Sequence, residues 1–325
     1  MKVHILDDWF DTLRRLPCFA LLKNHDVTVW TDHEPNVERL ATRISSAEAL
    51  VLFRERTKIS SELLEHLSNL KLISQRSVYP HVDVPACTKN GVLLCSNMHS
   101  DTPSYAAAEH TLALILASYR QIPEQVNSIR SGRWQSGVGR TLRGRTLGLY
   151  GYGRIGRAVA TYAKALGMSV QWWASGEGRA RAKVAGEKVA ESRDVFFSTS
   201  DIVSLHVRLK PETKRIIKAE DIAAMQDRAL LVNTSRSGLI AEGALEAEIA
   251  RNRIFAAVDV FDTEPLNDRS HPLLAHPNVL PTPHIGYVTE DEFELQFTDI
   301  FQQINAYAAG DPMHMINPEV WLQTT

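Results

Sequence analysis

The sequence predicts an α/β protein with two doubly wound parallel-sheet domains, and three observations carry this prediction. Short aliphatic or β-branched segments alternate with longer segments of helical periodicity along the chain. Such alternation is typical of strand–helix–strand units, whose parallel strands are covered by helices on both faces. The chain has 325 residues, which suits two folding units. Near the middle of the chain, a glycine-rich motif follows one of the apolar segments.

Ten segments are predicted as strands, five in each half of the chain. Those of the first half cover residues 3–6, 27–30, 49–53, 72–75 and 92–95. Those of the second half cover residues 146–150, 169–173, 202–206, 229–233 and 256–260. Because each is short and apolar, we expect strands buried on both faces, in two separate sheets.

Two long helices are expected besides the crossover helices. Residues 103–120 are apolar over much of the helix circumference, which is typical of burial at a domain interface or in a homodimer. The last helix begins at Thr289 with Glu292 as a capping box, and it ends before Gly310. Its apolar residues share one stripe: Phe293, Phe297, Ile300, Phe301, Ile304 and Ala308.

Composition and charge exclude several classes of protein. The formal net charge is −2, so no global positive field favours nucleic acid or an anionic membrane. No apolar run has the length of a membrane span or of a signal-peptide core. Three cysteines lack CxxC or zinc-ligand spacing. We expect a soluble cytoplasmic protein that acts on small molecules and holds no metal.

The glycine-rich motif predicts dinucleotide binding because it joins the strand predicted at 146–150 to a helix. It consists of Gly151, Tyr152, Gly153, Arg154, Ile155 and Gly156. The first glycine permits a tight turn, the second lets the backbone approach a pyrophosphate, and the third lets helix and strand pack closely. The helix N-terminus then offers N–H groups and a positive dipole to the phosphates.

The end of the next strand leaves the choice between NAD(H) and NADP(H) open. An NAD site usually has a carboxylate there for the ribose 2′-hydroxyl, but this chain has Ala174. Ser175, Arg179 and Arg181 could receive a 2′-phosphate instead. Equally, the two arginines could form a solvated helix face.

Three polar clusters follow apolar segments in the second half, at residues 233–238, 259–265 and 283–286. They contribute an arginine, a glutamate and a histidine: Arg236, Glu264 and His284. The carboxyl ends of parallel strands meet at one edge of a sheet, where ligands bind. A histidine oriented by a carboxylate suits proton transfer near neutral pH. A guanidinium can bind a carboxylate and polarise a carbonyl. We therefore expect a catalytic site at this edge.

Together these motifs resemble those of the D-isomer-specific 2-hydroxyacid dehydrogenases. The similar stretches are residues 51–57, 107–110, 151–156, 233–240, 257–265 and 282–286. The resemblance implies hydride transfer between NAD(H) or NADP(H) and a D-2-hydroxy acid or 2-oxo acid. It implies a catalytic triad of Arg236, Glu264 and His284, with His284 as the acid–base and Asp259 near the nicotinamide amide.

The resemblance also implies the domain arrangement. A Rossmann NAD(P)-binding domain, residues 101–288, would be inserted into a flavodoxin-like substrate domain formed by residues 1–100 and 289–325. Further cofactor contacts are expected from residues near the strand ends and the first helix of the nucleotide domain: Ser104, His206, Val207, Thr213, Thr234 and Ser235.

One loop departs from the pattern of the family. Where relatives usually have Gly-x-Gly facing the substrate carboxylate, this chain has Arg76, Ser77 and Val78. Since valine does not readily take the backbone conformations open to glycine, we expect a reshaped turn. We expect Arg76, with Arg54, to supply positive charge to the substrate beside Ser77 and Val78. The alternative is that Arg76 points to solvent.

Two other functions stay open at this point. Some members of the family act as dinucleotide-sensing corepressors that bind partner proteins. The altered glycine loop also leaves room for a dehydrogenase of a non-hydroxyacid donor such as formate or phosphite.

Overall fold

The computed structural model describes residues 1–98 and 104–322 and divides into two compact units. Unit 1 comprises Met1–Pro103 and Thr289–Thr325, and unit 2 comprises Ser104–Val288. Each unit has its own parallel sheet. The domain boundary predicted between residues 100 and 101 lies outside the described residues.

The strands fall into two sheets. Unit 1 contains β1 (Lys2–Ile5), β2 (Asp26–Val29), β3 (Ala49–Val51), β4 (Leu72–Arg76) and β5 (Leu93–Asn97). Unit 2 contains β6 (Thr146–Tyr150), β7 (Ser169–Trp173), β8 (Ile202–Leu205), β9 (Leu230–Asn233), β10 (Phe255–Val258) and β11 (Val279–Pro281).

The α-helices follow in chain order. They are α1 (Val37–Ile44), α2 (Ser61–Glu65), α3 (Val84–Lys89), α4 (Ala106–Arg120), α5 (Ile122–Arg130), α6 (Arg154–Ala165), α7 (Gly176–Val184), α8 (Arg193–Thr199), α9 (Ala219–Ala223), α10 (Ala244–Ala250), α11 (Pro272–Ala275), α12 (Glu290–Ala308) and α13 (Glu319–Leu322). Short 3₁₀ helices lie at Leu13–Arg15, Pro17–Leu22, Pro211–Thr213 and Ser237–Leu239.

Both sheets are parallel and doubly wound, so the predicted fold class is confirmed. The strand order is β2-β1-β3-β4-β5 in unit 1 and β11-β10-β9-β8-β6-β7 in unit 2. The first is the flavodoxin-like order, which reverses between β1 and β3; the second reverses between β6 and β8. The register places Val3 opposite both Val27 and Ala49 in unit 1.

The ten predicted strands are all present, with ends within two residues of the prediction. Strand β11, which lies at the edge of the unit 2 sheet, was not predicted. This strand has only three residues and ends in Pro281. Proline lacks the N–H that a central strand needs, so the sequence pattern is that of a loop rather than a strand.

Helix α4 packs into the core of unit 2. Ala108, Ile115 and Tyr119 are buried in a cluster with residues of α6, β6 and β9. The predicted helix began three residues earlier, and residue 103 lies outside the described part of the chain. The breadth of its apolar surface is thus explained in part by packing within one unit.

Helix α12 covers the sheet of unit 1. The Thr289 hydroxyl accepts the Glu292 N–H at 3.1 Å, as predicted, but the Glu292 carboxylate accepts the Gln296 amide instead of returning to the cap. Phe297 and Phe301 are buried, and the Phe297 ring centroid lies 4.6 Å from that of Phe53. The predicted stripe is buried except for Ala308, which is exposed at the helix end.

Within the described ranges, none of the helices combines the length and apolarity needed to cross a membrane.

Candidate active site

The glycine-rich motif forms the turn between β6 and α6. Gly151 has a φ of +113°, and a Cβ added there would lie 2.4 Å from the His206 carbonyl oxygen. A Cβ added at Gly156 would lie 2.9 Å from the Gly151 carbonyl oxygen and 3.2 Å from the Trp172 ring. Only glycine fits these two positions, because neighbouring backbone or a buried ring fills the space. A Cβ at Gly153 would meet nothing within 4 Å, so the N-terminus of α6 is open to an approaching group.

The other residues of the motif are divided between the core and the helix end. Arg154 and Ile155 form the first turn of α6, and Ile155 packs against the core of unit 2. The Tyr152 ring packs edge-on against the Trp172 ring, with 4.8 Å between centroids.

The end of β7 carries the residues that the sequence predicts at a ribose site. The Arg179 guanidinium lies 4.3 Å above the Trp173 ring, and its Nη1 donates to the Ala174 carbonyl at 2.5 Å. Arg181 is exposed and lies 3.7 Å from the Glu177 carboxylate. The Ser175 hydroxyl accepts the Gly178 N–H and so caps α7. Arg179 has no carboxylate within 4 Å in the described part of the chain.

His284 and Glu264 are in direct contact at the carboxyl edge of the unit 2 sheet. The distance from His284 Nδ1 to Glu264 Oε2 is 2.6 Å, and the other carboxylate oxygen accepts the Phe261 N–H at 2.9 Å. Because a carboxylate only accepts, the proton of this bond belongs to Nδ1. Both side chains are about one-third exposed or less. This contact fixes the orientation of the imidazole ring.

A buried carboxylate anchors the loop that carries His284. Asp259 accepts the Thr282 hydroxyl at 2.6 Å and the Ile285 and Gly286 N–H groups at 2.9 and 2.8 Å. His110 Nε2 lies 3.2 Å from the same carboxylate. Burial alone would raise the pKa of Asp259, but the hydrogen bonds from His110, Thr282 and the Ile285 N–H outweigh it and hold the pKa below its ordinary value. The anchor therefore stays ionised at neutral pH.

Arg236 is the third residue after the end of β9, which is adjacent to β10 in the sheet. Its backbone carbonyl accepts the amide of buried Asn233 at 2.9 Å, and its Nη1 donates to the Ser235 carbonyl at 2.7 Å. Arg236, Glu264 and His284 lie in the segments that follow β9, β10 and β11. Because these three strands are neighbours in the sheet, the three residues are at the same edge of it.

Comparison with known proteins identifies the family of the chain. Residues 112–286 match the family model described as D-isomer specific 2-hydroxyacid dehydrogenase, NAD binding domain. The glyoxylate reductase of Aeropyrum pernix is 34% identical over 317 residues, which cover 92% of each chain. The chain belongs to the D-isomer specific 2-hydroxyacid dehydrogenase family.

Two further relatives place this family member among longer and similar-sized proteins. The D-3-phosphoglycerate dehydrogenase of Methanocaldococcus jannaschii is 36% identical over 84% of this chain, which spans about half of that relative's length (52%). A crystal structure titled phosphoglycerate oxidoreductase from Vibrio cholerae o395 is 41% identical, with a TM-score of 0.91 over 95% of this chain and 99% of the other.

Several predicted cofactor residues use their side chains within unit 2. His206 Nε2 lies 2.9 Å from the Ser204 hydroxyl, and burial lowers the pKa of its ring to about 4, so the ring is neutral and turned to the interior. The hydroxyls of Thr213, Thr234 and Ser235 bind the Arg208 carbonyl, the Thr111 hydroxyl and the Leu205 carbonyl. Ser104 and Val207 are partly exposed.

The loop that departs from the family pattern lies in unit 1, after β4. Arg76 is buried, and its Nε lies 2.8 Å from Asp299 Oδ2 on α12, so the guanidinium does not point to solvent. Ser77, with a φ of +77°, takes the left-handed conformation, and neither Arg76 nor Val78 does. The Ser77 carbonyl accepts the Gln75 side-chain amide at 2.9 Å. The reshaped turn thus keeps a left-handed residue, one position away from the expected glycines.

Sequence reasoning missed three residues that shape these sites. His110 and Thr282 hold Asp259, and Asp299 pairs with Arg76. His110 lies within a stretch that resembled the family, which was a usable signal. No such signal marks Asp299, because it is a charged residue outside the apolar stripe predicted for the last helix.

Proposed function

We propose that the protein is an NAD(P)-dependent D-2-hydroxyacid dehydrogenase that reduces a 2-oxo acid or oxidises the corresponding 2-hydroxy acid. The contact between His284 and Glu264 carries this proposal, because an oriented and electrostatically supported imidazole is the group that the reaction needs. The open N-terminus of α6 beyond Gly151 suits a dinucleotide. Membership of the family supports both points.

The proposed mechanism assigns one task to each charged group. A bound nicotinamide dinucleotide supplies or takes the hydride at C2 of the acid. His284 Nε2 gives a proton to the oxygen that becomes the hydroxyl, and takes it back in the oxidising direction. Glu264 holds the ring through Nδ1, so that Nε2 is free of this contact. Arg236 binds the substrate carboxylate and stabilises negative charge on the carbonyl oxygen.

Asp259 has a positioning task in this proposal. Its two oxygens accept the hydroxyl of Thr282 and the N–H groups that follow His284, so it fixes the loop from which the imidazole projects. The expected contact of Asp259 with the nicotinamide amide would have to share oxygens that already accept these donors. Orientation of the histidine loop is thus the role that its hydrogen bonds support.

The proposal is tested by following the oxidation of NADH and of NADPH with a panel of 2-oxo acids and determining the configuration of the product. Turnover to the D-2-hydroxy acid is expected with at least one pair. Absence of turnover with every pair, or an L product, would contradict the proposal. The same assay separates it from a corepressor without enzymatic activity, and formate or phosphite in the oxidising direction tests the other donors.

We also propose that the protein accepts NADP(H) as well as NAD(H). Ala174 offers no carboxylate to a ribose 2′-hydroxyl, and Arg179 is held against Trp173 at the end of β7. A guanidinium fixed by stacking, with no carboxylate near it among the described residues, suits a 2′-phosphate.

We further propose a homodimer formed by the surface of α4, α5 and the segment that follows. Large apolar side chains are exposed on these elements of unit 2: Leu116, Ile122, Ile129, Trp134 and Val138. An exposed group of this kind marks an interaction surface. Light scattering should give a mass of about twice 36.4 kDa, and a monomer at assay concentration would contradict the proposal.

The cytoplasm is the compartment that we propose, with small molecules as partners and no metal cofactor. Cys18, Cys87 and Cys95 are buried and unpaired, and burial raises the pKa of each thiol to about 12. Reduced thiols are usual in that compartment. Dialysis against a chelator should leave turnover unchanged, and a loss restored by a divalent cation would overturn the metal-free proposal.

A further inference from the structure

The backbone of His284 has a conformation that needs support from its surroundings. Its φ is +54°, in the left-handed region. This region is unfavourable for a residue with a side chain, because the Cβ crowds the following carbonyl oxygen, and such a residue persists only where neighbouring groups hold it. The groups that hold this conformation therefore also set the direction in which the imidazole ring leaves the backbone.

The Asp259 carboxylate holds the two residues that follow His284. Its Oδ1 accepts the Ile285 N–H at 2.9 Å, and its Oδ2 accepts the Gly286 N–H at 2.8 Å. Successive N–H groups that converge in this way form a concave site for an anion, and here the anion is a side chain of the same unit. The loop keeps its shape only while this carboxylate stays in place.

Helix α4 contacts the same carboxylate through His110. The Nε2 atom of His110 lies 3.2 Å from Asp259 Oδ1 and 3.2 Å from the hydroxyl oxygen of Thr282. Because an ionised carboxylate only accepts, the proton of the contact with Asp259 belongs to Nε2. The Asp259 side chain is 1% exposed and that of His110 is 16% exposed, so the hydrogen bond is largely shielded from water and is strengthened by this.

Gly286 allows the loop and α4 to approach this closely. A Cβ added at Gly286 would lie 3.0 Å from Asp259 Oδ2 and 3.5 Å from His110 Cδ2. The helix itself is fixed, since Ile115 and Tyr119 are buried in the core of unit 2. His110 thus connects a firmly packed helix to the carboxylate that shapes the loop, as outer residues commonly do for the groups they orient.

We propose that His110 is a positioning residue for His284, the proposed acid–base. It holds the Asp259 carboxylate, which in turn holds the left-handed backbone that directs the imidazole ring to Glu264. This inference rests on the proposed function and deepens it, because it adds a residue of α4 to the support of the group that transfers the proton. All of these residues belong to unit 2. The role requires an N–H donor at the position of Nε2 and no proton exchange by His110.

Three replacements of His110 separate the donor from the bulk of the ring. His110→Gln places an amide N–H donor near the position of Nε2 and should keep kcat close to the wild-type value. His110→Asn carries the same amide one methylene closer to the helix, where it does not reach the carboxylate. This variant and His110→Leu, which has no donor, should lower kcat by about 10- to 100-fold, the effect of a misplaced catalytic group. The cofactor Kd should stay near the wild-type value in all three.

His25→Asn is the matched control. His25 lies before β2 at the amino edge of the unit 1 sheet, and its Nε2 lies 2.9 Å from the Asn305 amide oxygen. Its replacement by asparagine should leave kcat and KM unchanged. Far-UV circular dichroism and thermal melting show which variants are folded, and if His110→Leu does not fold, the comparison of His110→Gln with His110→Asn decides.

A second measurement does not depend on turnover. Long-range ¹H–¹⁵N NMR spectra of protein labelled with ¹⁵N-histidine show which ring nitrogen of His284 carries the proton when the ring is neutral, and His284→Gln assigns the signals. In the wild type this is Nδ1, which contacts Glu264 at 2.6 Å. The Nδ1 proton should persist in His110→Gln and give way to a mixture of tautomers in His110→Asn and His110→Leu. A residue that only adds stability would leave the tautomer of the folded protein unchanged.

The double variant His110→Leu with Asp259→Asn tests the proposed route. It should be no slower than Asp259→Asn alone, because His110 acts through the carboxylate. Multiplied losses in the double variant would overturn the inference, as would equal losses in His110→Gln and His110→Leu, or full kcat and an unchanged tautomer in His110→Asn and His110→Leu. In each of these cases the dehydrogenase proposal stands. If the wild type reduces no 2-oxo acid with NADH or NADPH, the proposed function is overturned, and the tautomer of His284 in the variants still decides whether His110 positions the ring.

Discussion

Arg76 and Arg179 both lie near the carboxyl edge of a parallel sheet, Arg76 in unit 1 and Arg179 in unit 2. Arg76 is 8% exposed and paired with Asp299 at 2.8 Å. Arg179 rests on Trp173 and donates to a backbone carbonyl, with no carboxylate within 4 Å in residues 1–98 and 104–322. A buried charge needs an internal partner, which leaves little of its field for a ligand. A half-buried charge held by a ring and a carbonyl keeps most of its field. We therefore propose that the same residue type serves structure at the unit 1 edge and cofactor binding at the unit 2 edge.

The largest effect on kcat should come from replacing His284, the proposed acid–base at the carboxyl edge of the unit 2 sheet. His284→Gln is expected to lower kcat by about 10²- to 10⁴-fold, because general acid–base catalysis contributes a factor of that size. The cofactor Kd, measured by fluorescence titration, should stay near the wild-type value. His276→Gln, a change at a partly buried histidine whose Nδ1 accepts the Asn278 N–H, serves as the matched control and should retain turnover. Near-normal turnover of His284→Gln would remove the acid–base assignment.

Breaking the ion pair at the unit 1 edge should affect stability more than chemistry. Arg76→Met leaves the partly buried Asp299 without its cation, and the free energy of unfolding should fall by about 3 kcal/mol. Adding Asp299→Leu should recover part of this loss, since an apolar pair replaces the ionic one. Urea unfolding of both single variants and the double variant measures the coupling. Strictly additive losses would show that the two residues are not coupled. Unchanged stability with an altered substrate preference would mean that Arg76 serves the substrate, as expected from the sequence.

Arg179 offers the opposite test at the unit 2 edge. Arg179→Ala should lower kcat/KM for NADPH by about tenfold, the effect of one charge-assisted hydrogen bond, and should change kcat/KM for NADH less. Arg181→Ala is the matched control, because Arg181 is exposed and lies near Glu177. Equal losses with both cofactors would show that Arg179 acts through the packing of α7 instead of a 2′-phosphate.

The smallest effect concerns pH and the buried ring of His206. Its pKa is about 4 in the folded protein and near 6.5 in an unfolded chain, so between these values only the unfolded state takes up a proton. The free energy of unfolding should therefore fall as the pH drops below about 6.5, by roughly 1 kcal/mol at pH 5.5 because the residue is partly exposed. Urea unfolding between pH 7 and 5.5 measures this, with His206→Gln as the comparison. An equally steep decrease in that variant would assign the loss to other groups.

The strands and the nucleotide turn were predictable because their signals are local. Ten strands followed from apolar runs of suitable length, and Gly151 and Gly156 from a motif whose sterics act between neighbouring elements. The contact of Glu264 with His284 was expected from the polar clusters that contain them and from the resemblance to the family, although the strand before His284 was not predicted. Strand β11 was missed because three residues and a proline carry too weak a pattern.

Partner choice among side chains was not predictable in the same way. The pair formed by Arg76 and Asp299 joins a strand end to a helix far along the chain, and nothing in either neighbourhood identifies the other. The left-handed residue of the loop proved to be Ser77, where the pattern directed attention to positions 76 and 78. The orientation of the His206 ring toward Ser204 depends on packing that a sequence pattern does not contain.

The amino-acid sequence by itself determined the alternation of strands and helices, the dinucleotide turn and the identity of the polar residues at the strand ends. Backbone sterics and hydrophobic periodicity act over a few residues, so these features are written in short segments. Tertiary structure decided which charges are neutralised inside a unit and which remain at an edge, and it brought Trp9, Phe10 and Arg56 together. Whether a charge is paired depends on the distance between residues that are remote in the chain, and such residues come close only when the sheets have formed.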